Sequence, residues 1–258
     1  MMPSLKDLPA IFATRPYPGT SSSYVFIPTE PILSKLVDSG WAIVDARQTK
    51  SRHAERAPYA RHMIRMRHND GKPIQDPRGS PLWEELVLVN GHDGSATYRL
   101  YAGLFSFLCL NGLVVGSMFA GASIRHSGFQ ATMEAVQSGA SKIINEEMPL
   151  LRGSVERMAN RQLTPAELVR FASTALDLRY KGLAPLLTSN QVLTRHRPQD
   201  ESNDAWTVFN VLQENLLSRT HDGRSYTGRR SHIRAVKAIK EQIHINRGLW
   251  DFAEKLAA

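Results

Sequence analysis

The chain has 258 residues, 42% of them hydrophobic and 22% charged, which is enough to bury a full core and rules out a disordered or fibrous class. Its formal charge of +8 and pI near 9.8 favour a polyanionic partner such as nucleic acid or anionic lipid. The single cysteine, Cys109, excludes an intramolecular disulfide and a cysteine-built zinc site, and no membrane-spanning helix is expected.

Residues 1–31 are rich in Pro, Ser and Thr and read as an extended N-terminal arm, with Tyr24 to Ile27 as a short strand. The start of this arm lacks the basic residues and apolar core of a signal peptide, so a cytoplasmic location and no membrane partner are expected. Ile32, Leu33, Leu36 and Val37 then form one stripe of a short amphipathic helix stopped by Gly40. Trp41 to Ala46 reads as a strand.

From Gln48 to Lys72 basic residues outnumber acidic ones heavily. Arg52, Arg56 and Arg61 lie in a loop feeding a strand, Met63 to His68, in which Arg65 and Arg67 share one face. Arginines so placed can track a phosphate backbone; the competing reading is a solvated sheet face. His53, His62 and His68 of this segment suit phosphate contact or plain solvation better than metal binding. Asp70 to Pro81 reads as a Pro/Gly loop.

The centre of the chain is an apolar run, Leu86 to Val89, broken at Asn90-Gly91-His92-Asp93-Gly94-Ser95 and resumed with alternation through Tyr101. Asn-Gly and Asp-Gly between such runs predict a β-hairpin, with Ala96, Tyr98 and Leu100 on one face and Thr97, Arg99 and Tyr101 on the other. From Phe129 the period lengthens to about 3.6 residues and the chain turns helical. Met133, Val136, Ala140, Ile143 and Ile144 form the first stripe, and Pro149 and Gly153 are expected to interrupt it. Thr164-Pro165-Ala166-Glu167 is a capping box with proline at the first helical position. Ser202 to Asp204 caps a helix with Trp206, Phe209, Leu212 and Leu216 on its buried side. Ser218 to Arg234 is a second basic segment, read as a loop between Gly223 and Gly228, and a last helical region is expected to break near Gly248.

These elements predict an α+β fold: an antiparallel, hairpin-rich sheet in the N-terminal half packed with helices, and a mostly helical C-terminal half. The expected organisation is one domain over 32–258, strand-rich across 41–128 and helical across 129–258.

His92, Asp93 and His126 are the catalytic candidates, since histidine and carboxylate groups beside turn glycines can bind metal or act as a general base. Polar turn residues bonding their own loop are the simpler account. No metalloprotease, phosphate-loop, esterase or dinucleotide motif occurs, so no cofactor or resident metal is expected and enzymatic activity is the less favoured reading. The second basic loop says more. Arg224, Tyr226, Arg229 and Arg230 combine guanidinium forks with one aromatic face, the groups that hold phosphates and stack an unpaired base.

V-N-G-H-D-G-S, Y-R-L-Y-A-G-L-F-S-F-L-C-L-N-G-L-V-V-G and I-R-H-S-G in the centre, G-W-A-I-V-D-A-R-Q before them, and W-T-V-F-N-V-L-Q-E-N-L and N-R-G-L-W after them carry a resemblance to a known family. Across roughly Leu33 to Leu256 the chain resembles the phage/plasmid-like domain-of-unknown-function family nine hundred thirty-two. The resemblance implies a protein of phages, prophages or conjugative plasmids and supplies no agreed catalytic residues. With the charge pattern, it leads to the expectation of a mobile-element nucleic-acid-binding protein acting on single-stranded DNA in annealing, protection or recombination, with homo-oligomers as a further possibility. Two alternatives stand beside it: an anti-defence protein binding a host nuclease or CRISPR complex, and a metal-dependent nuclease built on His92, Asp93 and His126.

Overall fold

A computed structural model of the chain describes residues 5–22, 24–79, 81–96, 98–106, 134, 138–139, 141–224 and 229–258. These form two compact units, the first drawn mainly from residues before Ile74 and from Trp83–Gly103, the second mainly from Ile74–Leu82 and Leu150–Ala258. The fold is α+β, as the residue pattern predicts.

In the first unit, strand β1 (Trp41–Gln48) pairs antiparallel with β2 (His62–His68), and β2 with β4 (Pro81–Asn90). Strand β5 (Arg99–Ser106) returns along β4 as the expected hairpin partner. Its alternation is only half realised: Tyr98 and Leu100 are buried, but so are Tyr101 and Ala102, so beyond Leu100 both strand faces are covered. Helix α1 (Thr29–Asp38) carries buried Ile32, Leu33 and Leu36 and ends where Gly40 takes φ +88°. Ile64, Met66, Leu86 and Leu88 are likewise buried. Of the N-terminal segment, Leu5–Asp7 and Pro9–Phe12 are 3-10 turns with Ala10 and Ile11 fully buried. Residues 24–28 join no ladder; Tyr24 is tied instead by its hydroxyl, which donates to the Gly91 carbonyl at 2.8 Å.

The second unit is helical, with two short pairings. Strand β3 (Ile74–Gln75) pairs with the first residues of β4, inside the segment read from sequence as loop. Helix α2 (Met148–Asn160) runs through both Pro149 and Gly153 without a break. Pro149 is accommodated because a π-helical turn, Ile143–Glu147, hands over to α-geometry just before it, where a missing N–H costs little. The rest of that first helical stripe, at Met133, Val136 and Ala140, lies outside the described residues, as does Cys109. Helix α3 (Pro165–Tyr180) starts with the predicted capping box: Thr164 Oγ1 accepts from Glu167 N, and Glu167 Oε2 accepts from Thr164 N. Lys181 closes it in the left-handed region at φ 54°. The four-residue helix α4 (Ser189–Val192) is capped by Thr188 in the same way.

Helix α5 (Ala205–Leu217) departs most from an amphipathic reading, since every residue in it is buried. Trp206 and Phe209 stack at 5.6 Å, and Trp250 meets both edge-on. The basic stretch that follows pairs at its two ends as antiparallel strands, β6 (His221–Arg224) with β7 (Arg230–Ile233), while residues 225–228 of the segment read as loop lie outside the described residues. Backbone pairing wins because Gly223 lets the strand press on Leu186: a Cβ there would overlap the Leu186 carbonyl oxygen. The last helix, α6 (Ile239–Ala257), likewise runs unbroken through Gly248. That glycine serves packing, since a Cβ on it would sit 2.7 Å from Leu178 Cδ1 of α3.

Two glycine substitutions therefore have opposite signs. Gly248→Ala should destabilise by about 1–2 kcal/mol, because overpacking against Leu178 outweighs the gain in helix propensity. Gly153→Ala, whose nearest neighbour is the flexible end of Arg157 at 3.5 Å, should stabilise by about 0.5–1 kcal/mol. Thermal unfolding of the two variants distinguishes them.

Candidate functional site

The basic residues singled out from the sequence separate into groups with different fates. Arg65 and Arg67 do share a face, but both are held by Glu85 on the neighbouring strand. Arg65 Nε donates to Glu85 Oε2 at 2.7 Å and Arg67 Nη2 to Oε1 at 2.6 Å, with the Glu85 side chain fully buried. Asp45 lies 3.8 Å from Arg65 and accepts from Arg47 Nε at 3.0 Å, and the Arg67 guanidinium stacks 3.8 Å above the Trp83 ring. Carboxylates absorb much of this charge inside the sheet. The group is an ion lattice before it is a phosphate track.

His62 is not at the surface either. It is fully buried with His92, and the two rings bond one hydroxyl, that of Thr29, at 2.8 and 3.3 Å. Asn90 Nδ2 donates to the same oxygen at 3.0 Å and to the Ile27 carbonyl at 2.9 Å. Proton counting fixes the tautomers. His62 Nδ1 faces the Ala60 carbonyl at 3.0 Å and must carry hydrogen, so its Nε2 accepts the one proton Thr29 can give. His92 Nε2 must then donate to Thr29. His92 Nδ1, which carries no hydrogen in this tautomer, has no hydrogen-bond partner. Burial pushes both imidazoles down to about 4, His62 adding to the effect on His92, so both are neutral at pH 7.

This buried lock positions a surface cluster. The His92 backbone N–H donates to the Tyr59 carbonyl and its own carbonyl accepts from Tyr17 N–H, each at 2.8 Å. Tyr17 and Tyr59 meet edge to face at 5.5 Å, and the exposed Arg56 guanidinium lies 4.8 Å over the Tyr17 ring. Gln48 braces the underside, accepting from Ala10 N at 3.0 Å and donating to the Ala57 carbonyl at 2.7 Å. Arg61 reaches across to the Ser95 carbonyl, while Arg15, Lys50 and Arg52 are exposed nearby in sequence. Asp93 closes its own turn by accepting from Ser95 N at 2.9 Å, with Gly94 at φ +78° as that turn requires. His92 and Asp93 are thus occupied locally, and His126 lies outside the described residues. Among the described residues no group of three or more His, Cys, Asp or Glu side chains could hold a metal ion, and no helix is long and apolar enough to cross a membrane.

In the second unit Arg224 and Arg230 are direct cross-strand partners, the pair of the β6–β7 ladder that lies nearest the connecting residues. Arg229 and Arg230 are exposed. Tyr226 lies outside the described residues. Sequence reasoning missed Thr29 and Tyr17, which carry no motif, and also Asp76 and Arg78. Asp76 Oδ1 accepts from Trp206 Nε1 at 2.9 Å, and Arg78 Nη2 donates to Asp76 Oδ2 at 3.0 Å and to Asn210 Oδ1 at 3.1 Å.

Residues 19–250 match the protein family described as "Domain of unknown function (DUF932)". The chain is 33% identical over 252 residues to the UPF0380 protein YafZ of Escherichia coli (strain K12), covering 96% of this chain and 88% of that protein. To the UPF0380 protein YfjQ of the same strain it is 32% identical over 254 residues, with coverage again of 96% and 88%. No solved structure matches it.

Two measurements test the lock. Thr29→Val keeps the shape but strands His62 Nε2, the His92 Nε2 proton and one Asn90 proton, and should cost about 2–3 kcal/mol where Thr29→Ser costs less than half as much. Both histidines titrate near 6.5 when unfolded and near 4 when folded. The stability they contribute is therefore full above pH 6.5 and is lost as pH falls toward 4, by up to about 1.4 kcal/mol per pH unit for each. A denaturation midpoint that stays flat across that window would contradict the assignment.

Proposed function

The chain belongs to the DUF932 family, and on that premise we propose that it binds nucleic acid, favouring single-stranded DNA, as a mobile-element protein of annealing, protection or recombination. The observation that carries this reading is the braced cluster of Tyr17, Tyr59 and Arg56. Aromatic faces beside guanidinium groups are the chemistry that holds unpaired bases, because every base has a π-face and every nucleotide a phosphate. The cluster is preorganised by the backbone of His92 and flanked by exposed Arg15, Lys50 and Arg52, so little ordering entropy opposes binding. Arg229 and Arg230, both exposed, provide a second basic surface. Arg65 and Arg67, held by Glu85, support the sheet and contribute background charge.

Titration with single-stranded DNA, duplex DNA and RNA over a range of salt tests the reading. Arg52→Ala with Arg56→Ala should weaken binding to every sequence alike and lower the log–log salt slope by about one for each phosphate no longer neutralised. Tyr17→Ala should weaken single-strand binding by about 1–3 kcal/mol and leave duplex binding nearly unchanged. Affinity independent of salt, or equal in all variants, would rule out this surface and leave a protein partner as the better account.

A further inference from the structure

Beside the β6–β7 hairpin lies a cleft of about 580 Å³ lined by Pro185, Leu186, Leu187, Thr188, Gln191, Asp222, Gly223 and Arg230. We propose that this cleft takes one unpaired nucleobase of a bound strand, with the adjoining phosphate on Arg230; the inference rests on the nucleic-acid reading above.

Its two walls differ in chemistry. One is an apolar ledge: Pro185 is exposed, Leu186 half-buried, and Leu183 just before them is 74% exposed. The other is the hairpin, where register sets Arg224 opposite Arg230. Asp222, diagonal to Arg230 across the ladder, also lines the cleft, with its side chain 93% exposed. Its carboxylate accepts hydrogen bonds, as the amino and imino edge of a base requires. An apolar ledge, an acceptor and the adjacent cation of Arg230 together complement a nucleotide: a flat apolar face, a donor edge and a phosphate. The volume lies in the range of small-ligand clefts.

The two walls of the cleft are tied to each other. Gly223 lets the hairpin backbone rest on the Leu186 carbonyl, and Gln191 Nε2 donates to the Asp222 carbonyl at 3.0 Å, tying α4 to the hairpin. A fixed gap between an apolar and a charged wall suits insertion of a planar group better than collapse of a flexible chain.

The experiment uses the full-length protein and two oligonucleotides of equal length and charge, one with normal bases and one abasic throughout its central third. Wild type should bind the base-bearing strand about three- to tenfold more tightly. Pro185→Ser combined with Leu186→Ser should remove most of that difference. Arg230→Ala should instead weaken both strands together. A 4-thiothymidine strand, photo-crosslinked and mapped, should leave its adduct on peptides from 185–191 or 222–224. Because Leu186 is half-buried, Pro185→Ser alone provides a second variant at an exposed site. Adducts found only elsewhere, with discrimination unchanged in both ledge variants, would overturn the base cleft while leaving the nucleic-acid reading intact. Failure of wild type to bind either strand would overturn both.

Discussion

The first unit depends on one hydroxyl. Thr29 Oγ1 receives hydrogen bonds from Asn90 and His92 and donates to His62, so three segments far apart in sequence are pinned at one oxygen inside the core. Buried polar groups stabilise only when all are satisfied, and here nearly all are, which makes the arrangement specific as well as strong. The loop of Gly91 to Ser95 has little hydrophobic contact of its own, yet it is fixed. His92 holds it inward by side chain and outward by backbone, where Tyr17 and Tyr59 attach. Core chemistry thereby sets the spacing of a surface that could not set its own.

The second unit solves a similar problem around a helix with no wet side. Most polar groups on α5 are matched, Gln213 Oε1 being an exception. Asn215 Nδ2 donates to the Val192 and Thr194 carbonyls at 2.9 and 2.8 Å, Glu214 meets Arg197 and Arg219 at 2.7 and 2.8 Å, and Gln213 Nε2 donates to Asn246 at 2.8 Å. Such pairs contribute less energy than apolar packing of equal volume would, because desolvating charge is costly. Their effect is on register: a helix slipped by one residue would lose them all.

Periodicity and punctuation made the elements readable. Alternation marked β2, the Asn-Gly and Asp-Gly steps marked the hairpin of β4 and β5, and the capping box at Thr164 marked the start of α3 to the residue. Glycine was misread where its role is contact rather than conformation. Gly223 and Gly248 suggest breaks in one dimension, but each is the point where another segment touches the backbone. The candidate surface was half legible. Arg52, Arg56 and Arg61 stand out as a basic run, whereas Tyr17 is brought to them by backbone bonds from His92 that leave no trace in composition. Arg65 and Arg67 look alike in sequence and free to bind; Glu85, eighteen positions beyond Arg67, holds both by a pairing only the register reveals.

Asp76 and Arg78 give the chain an unusual order of assembly. They belong to the second unit, where Arg78 lies 3.5 Å from Asp200 and both bond groups on α5, yet they leave the ribosome long before those partners exist. Until α5 has been made, an arginine and a carboxylate destined for burial must remain hydrated on the nascent chain. The two units are therefore interleaved in synthesis: the C-terminal helices cannot be excised as a contiguous fragment without leaving the Trp206 indole N–H and the Asn210 amide facing an absent strap. Any dissection of this protein into parts has to carry residues 74–82 along with the helices they complete.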